Sequence, residues 1–128
     1  MVDNRGLPIR IVLTAGQTHD GRAVPDLLRD LPPGCDVVAD RGYDTNAVLD
    51  LIHNARSRAH IPTPIRRRVK RSVDPAIYRQ RNLIERFFNK LKHFRRVATR
   101  FDKLARNFLA TVLLASTRLW LRAYESTT

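Results

Sequence analysis

An α/β fold is what this sequence predicts, and three observations lead to it. Short β-branched runs alternate with helical stretches through the first half, turn residues bound each run, and a long apolar helical stretch closes the chain. Strands separated by helices need crossover connections, which belong to α/β sheets. At 128 residues, 43% of them hydrophobic, the chain is about one domain and can bury a real core.

Taken in order, Ile9 to Leu13 (IRIVL) reads as a strand that ends in a turn at Thr14, Ala15 and Gly16. Asp20 to Leu31 reads as a helix. Asp20 can cap it, Pro25 falls near its first turn, and Val24, Leu27, Leu28 and Leu31 share a face. The PPG at 32–34 ends it, and Asp36 to Asp40 (DVVAD) follows as a short buried strand, continuously apolar through Val37, Val38 and Ala39. Thr45 to Asn54 is a helix with Val48, Leu51 and Ile52 inward, and Ala59 to Ile61 is at most a short strand. Residues 62–74 then form a basic loop. Within PTPIRRRVKR (62–71), two prolines and the five cations Arg66, Arg67, Arg68, Lys70 and Arg71 make a solvated segment or one that lies on an anionic partner. Asp74 and Pro75 supply a capping acid and a first-turn proline for a helix over 75–97. Thr99 to Asp102 is a break, and a final helix runs over 103–124. Arg106, Asn107 and Arg118 interrupt that last apolar stretch, so it reads as a buried core helix, with Trp120 in the core, rather than a membrane span.

Charge narrows the choice of partner. The net charge is +12, and residues 61–128 carry 17 Lys and Arg against 4 Asp and Glu, while residues 1–60 carry 7 against 8. Such an asymmetry favours a phosphate-rich partner, because each neutralised phosphate releases counterions. Nucleic acid leads over an anionic membrane surface. Cys35 is the single cysteine, which excludes a disulfide framework and a zinc cluster and fits a reducing, cytosolic setting. His19, His53, His60 and His93 lack metal-ligand spacing.

The segment YRQRNLIERFFNK (78–90) sets one carboxylate, Glu85, among cations. On a continuous helix, Arg81, Glu85, Asn89, Lys92 and Arg96 fall within about 60° of Tyr78. Leu83, Ile84, Phe87, Leu91 and Phe94 fall on the opposite, core-facing side. An Arg81–Glu85 pair would be worth only a few tenths of a kcal/mol. A carboxylate that binds a divalent cation beside a polyphosphate, with flanking cations on neighbouring phosphates, accounts for the retained acid better. It needs a second acid, and Asp40 is the best candidate, at the C-terminal end of an apolar strand where functional groups gather in α/β sheets. The competing reading of Asp40 is a turn cap.

Tyr78, Arg81, Glu85 and Lys92, with two, three and six residues between them, are similar to the Y-R-E-K motif of insertion-sequence transposases with a DDE triad. ADRGYD (39–44) resembles their second-Asp motif, and VDNRGLPIRIVLTAGQTHD (2–20) resembles the stretch between the first two acids. RNLIERFFNKLKHFRRVATRFDK looks like the fifth insertion-sequence family. The resemblance covers nearly the whole chain. It implies a ribonuclease-H-like fold with acids around two Mg²⁺ (or Mn²⁺) ions, Asp40 and Glu85 as catalytic metal ligands, and Arg81 and Lys92 on DNA phosphates, with Tyr78 against the same strand. Arg96 and the loop cations Arg66, Arg67, Arg68, Lys70 and Arg71 would add to the DNA-binding surface. The partners it implies are double-stranded DNA, at terminal inverted repeats and at the target, and a second copy or an upstream-frame transposase part. No membrane is implied.

In that family the first catalytic Asp and a central strand lie upstream of the residues that open this chain. Asp3 and Asp20 are the early acids, and both read as capping residues. The expectation is therefore the C-terminal portion of a transposase catalytic domain, either a truncated remnant or a second frame joined by frameshifting, that lacks the first central strand and cleaves poorly alone. A non-catalytic DNA binder or transposition inhibitor is the alternative. A basic structural protein fits the charge but leaves the Tyr-Arg-Glu-Lys face unexplained.

Overall fold

The computed structural model describes residues 1–14, 19–99 and 104–127, with the side chain of Asp20 excepted. The turn expected at Ala15 and Gly16 and the break expected at Asp102 lie outside these residues. The fold is α/β, as helices with a small parallel sheet, and the chain divides into two compact units, residues 14–81 and residues 1–13 with 82–128.

In the unit of residues 14–81, a 3₁₀ turn at Asp20–Ala23 leads into α1 (Val24–Leu27). The N-cap of this turn is His19, whose Nδ1 accepts from Gly21 N–H. The helix expected to reach Leu31 is also shorter, because Leu28 leaves helical geometry and Asp30 turns into the left-handed region at φ 61°. Asp tolerates that region better than most side chains.

β1 (Asp36–Val38) and β2 (Arg58–His60) pair in parallel, in the register Asp36 to Arg58, Val37 to Ala59 and Val38 to His60. α2 (Asn46–Asn54) is the crossover that a parallel pair requires. Thr45 Oγ1 caps it by accepting from Val48 N–H at 3.2 Å. The core of this unit is Val24, Val48, Leu49, Ile52 and Ile61, with Val37 and Ala59 packed from the strands and Ala39 from just after β1. Ile52 and Ile61 are fully buried. α3 (Pro75–Tyr78) starts as the sequence predicts, on Asp74 Oδ1 accepting from Ala76 N–H at 2.9 Å, with Pro75 in its first turn.

In the other unit, residues 9–13 do not form a strand; the bridge seen nearby joins Val2 to Pro8. Ile9 is 57% exposed, and β-branched composition alone gives no ladder where, among the described residues, no partner strand lies alongside. α4 (Asn82–Lys92) packs Phe87 and Leu91 against Val112, Ala115 and Leu119 of α6 (Ala105–Thr127). Ile84, Phe94, Val97, Val2 and Ile11 close that cluster. The helix expected over 75–97 is in fact α3, a 3₁₀ turn at Arg79–Arg81, α4 and the separate α5 (Arg95–Ala98).

α6 is not the buried core helix of the sequence reading. Leu113, Leu114, Leu121 and Tyr124 are exposed, and Trp120 is 37% exposed rather than in the core. Its indole N–H donates to Pro8 O at 2.7 Å, and the Arg5 guanidinium lies 5.3 Å from the ring centre. Among the described residues no helix is long and apolar enough to cross a membrane.

Candidate active site and nucleic-acid interface

Asp40 follows β1 and is exposed. Its backbone is extended, at φ −75° and ψ 169°, and its Oδ1 accepts from Gly42 N–H at 2.8 Å, so it caps the 3₁₀ turn Arg41–Tyr43. A Cβ on residue 42 would lie 3.0 Å from that same oxygen, which makes glycine the residue that leaves the carboxylate room. One backbone bond takes only part of a carboxylate's acceptor capacity. Capping and ligation are therefore compatible for this side chain.

Glu85 lies on the exposed side of α4, in its first turn, where a carboxylate complements the positive end of the helix. Lys92, seven residues on in the same helix, is exposed in the last turn. Tyr78 and Arg81 precede the helix: the Arg81 guanidinium sits 6.0 Å from the Tyr78 ring centre, at the edge of cation–π range. The 3₁₀ turn between them advances about 120° per residue. The uniform 100° step that put Tyr78, Arg81 and Glu85 on one line does not hold there. Arg96, on α5, leaves that line too. It borders an open cleft of about 360 Å³ with Phe94, Arg95, Thr111, Leu114 and Arg118.

The basic loop has internal partners that the sequence does not announce. Arg67 and Arg71, both expected on DNA, converge on Asp44, whose side chain is wholly buried. Arg67 Nε lies 2.8 Å from Asp44 Oδ2 as an ion pair, and Arg67 Nη2 donates to Asn46 Oδ1 at 2.9 Å. Arg71 Nη2 donates to Asp44 Oδ1 and, at 2.8 Å, to Ile61 O. Lys70 Nζ donates to Pro64 O and Ile65 O within the loop itself. Arg66 and Arg68 are exposed, with side chains that have no partner among the described residues. Sequence reasoning passed over Asp44 although it closes the ADRGYD motif. Its one available signal was an acid next to a helix cap, and capping is the commoner role of such an acid.

A second trio lies at the strand pair. Asp36 Oδ1 accepts from Arg58 Nε at 2.7 Å and bonds His60 Nε2 at 2.9 Å. The Arg58 bond, and after it the His60 bond, hold the Asp36 carboxyl well below its usual range, at about 2. The same pair raises Arg58. Asp3 behaves as the capping residue expected, its Oδ1 accepting from the N–H groups of Arg5 and Leu7.

Among the described residues no three or more of His, Cys, Asp and Glu are assembled to hold a metal ion. Asp40 and Glu85 are nevertheless hard oxygen donors on exposed positions, a donor type that suits Mg²⁺ or Mn²⁺.

A strand-end carboxylate, a helix carboxylate among cations and a strongly basic chain fit a protein that works on nucleic acid. The family model of the transposase DDE domain matches residues 1–120, and the chain belongs to that family. DNA transposition is the function this membership assigns, and the family works with divalent metal ions. The chain is also 37% identical over 123 residues to a Brucella ovis protein named "Putative transposase for insertion sequence element IS6501", a match that spans 95% of each chain. No solved structure matches the chain significantly.

Proposed function

We propose that this chain supplies Asp40 and Glu85, two of the three carboxylates of a ribonuclease-H-like transposase centre, for Mg²⁺- or Mn²⁺-dependent cleavage and strand transfer at the ends of an insertion sequence. The single observation that supports it most is the family match across residues 1–120, which includes both acids. Exposure of both carboxylates is what such a role requires. When bound, a metal pair would activate the attacking water or 3′ hydroxyl and stabilise the leaving oxygen. The chain's own part is to present Asp40 from a capped turn and Glu85 from the first turn of a packed helix. Arg81 and Lys92 offer cations for phosphates beside Glu85, and Tyr78 packs under Arg81. A third carboxylate is what these two require to complete such a centre. Its setting is the bacterial cytoplasm, at the nucleoid, and its assembly is with a second copy or with another transposase part.

The test is metal-dependent cleavage of element ends by the assembled protein. Asp40→Asn and Glu85→Gln should each abolish cleavage while leaving DNA binding in place. Cleavage that persists in both variants would falsify the assignment. Binding with no cleavage under any assembly would leave the chain a non-catalytic DNA binder.

A further inference from the structure

The five cations of the loop at 62–71 do not share one job. Arg67 and Arg71 are each about a quarter exposed, and both end on the wholly buried carboxylate of Asp44. Arg67 Nη2 also donates to Asn46 and Arg71 Nη2 to the Ile61 carbonyl, Thr63 Oγ1 accepts from Arg71 N–H at 2.9 Å, and Arg71 Nε is buried with no hydrogen-bond partner among the described residues. Lys70 turns back onto the carbonyls of Pro64 and Ile65 at 2.5 and 2.6 Å, which closes the loop on itself. What holds these two guanidinium groups away from a phosphate is the buried counter-charge of Asp44 that both face. Breaking such a pair leaves a buried charge uncompensated, so DNA cannot borrow these arginines cheaply.

Arg66 and Arg68 differ in every respect. Both are exposed, both lack a side-chain partner among the described residues, and they are flanked by Ile65 and Val69, which are 92% and 76% exposed. A loop this short of apolar shelter carries two outward cations on a base anchored from below. Asp44 belongs to the turn that carries Asp40: its N–H donates to Arg41 O, and Tyr43 N–H donates to Asp40 O. The anchor of the loop and the candidate catalytic acid thus share one hydrogen-bonded turn.

We propose that Arg66 and Arg68 form a phosphate grip for the DNA backbone, and that Asp44, acting through Arg67 and Arg71, is the positioning residue that holds the grip in register with the turn bearing Asp40. The grip rests on the DNA-processing function proposed above, but the anchoring does not. The loop then contributes two phosphate contacts where its composition suggests five.

Two measurements on the full chain separate these parts. The first is the rate at which phenylglyoxal modifies each arginine, mapped by mass spectrometry without DNA. Arg66 and Arg68 should react fast and Arg67 and Arg71 slowly, and Asp44→Asn should bring the last two up to the first two. Equal rates for all four in the unsubstituted chain overturn the anchor, whatever the chain does with DNA. The second is the affinity for a short random-sequence DNA duplex across a salt series. Arg66→Ala and Arg68→Ala should each remove about one unit from the slope of log affinity against log salt. Arg67→Gln should leave the slope unchanged, and Asp44→Asn should steepen it, because it frees two cations. A merely structural Asp44 would weaken binding without steepening anything. If Asp44→Asn does not fold, the comparison of Arg66→Ala with Arg67→Gln still decides: equal losses of slope overturn the division of labour. If Arg66→Ala and Arg68→Ala leave the slope untouched while the modification rates come out as expected, the anchor stands and the grip falls, and the catalytic assignment of Asp40 and Glu85 is untouched by that result.

Discussion

Asp44 and Asp36 are both acids beside arginines, and solvent makes them different. Asp44 is wholly buried, so its removal leaves Arg67 and Arg71 without a counter-charge in a site they only partly escape. We expect Asp44→Ala to cost about 3 kcal/mol in urea unfolding, the low end for a broken buried pair because both arginines reach water. A loss within about 0.5 kcal/mol would mean the pair adds nothing to stability. Asp36 is exposed enough for water to screen its pair with Arg58, but its effect on acid stability has a definite sign. Its folded carboxyl titrates at about 2, below the ordinary 3.8, so the stability it contributes is complete above about pH 4 and is lost as pH falls towards about 2. Asp36→Asn should therefore flatten the stability profile across that window and leave it unchanged in shape near neutrality. A profile identical to that of the unsubstituted chain at low pH would refute the trio as a source of stability. Neither acid could be assigned from sequence, because Arg71 lies 27 residues from Asp44 and Arg58 lies 22 from Asp36, far outside the range of helix or turn spacing.

At the level of elements, local signals worked where one residue decides the geometry. Asp74 and Pro75 start α3, Thr45 caps α2, and the apolar run after Cys35 becomes β1. They failed where tertiary partners decide. IRIVL has strand composition without a ladder, and the 3₁₀ turn at Arg79–Arg81 carries no proline or glycine to announce it. Glu85 and Lys92 stay on one helix, so that half of the polar stripe was legible; Tyr78, Arg81 and Arg96 fall on other elements. α6 makes the same point about burial. Its sequence places leucines on more than one side, but packing uses one side: Leu119 is 8% exposed and Leu121 is 55% exposed. Leu119→Ala should cost about 2–5 kcal/mol and Leu121→Ala no more than about 0.5 kcal/mol. Equal costs in thermal or urea unfolding would show that the second side of α6 is covered after all.

For the whole molecule, the net charge of +12 makes DNA affinity a function of salt. If about six phosphates are neutralised, affinity for random duplex should drop about a thousandfold between about 50 and about 200 mM salt, with no metal required. A drop smaller than about tenfold would argue that the charge serves something other than a nucleic-acid backbone. The outward leucines of α6, Leu113, Leu114 and Leu121, give salt a second and opposite role. Like-charged copies repel one another across a screening length of about 10 Å at 0.1 M salt and only about 3 Å at 1 M. High salt that strips the chain from DNA therefore also removes the repulsion that keeps these oily surfaces apart, so the same ionic condition that frees the protein brings it closest to clumping.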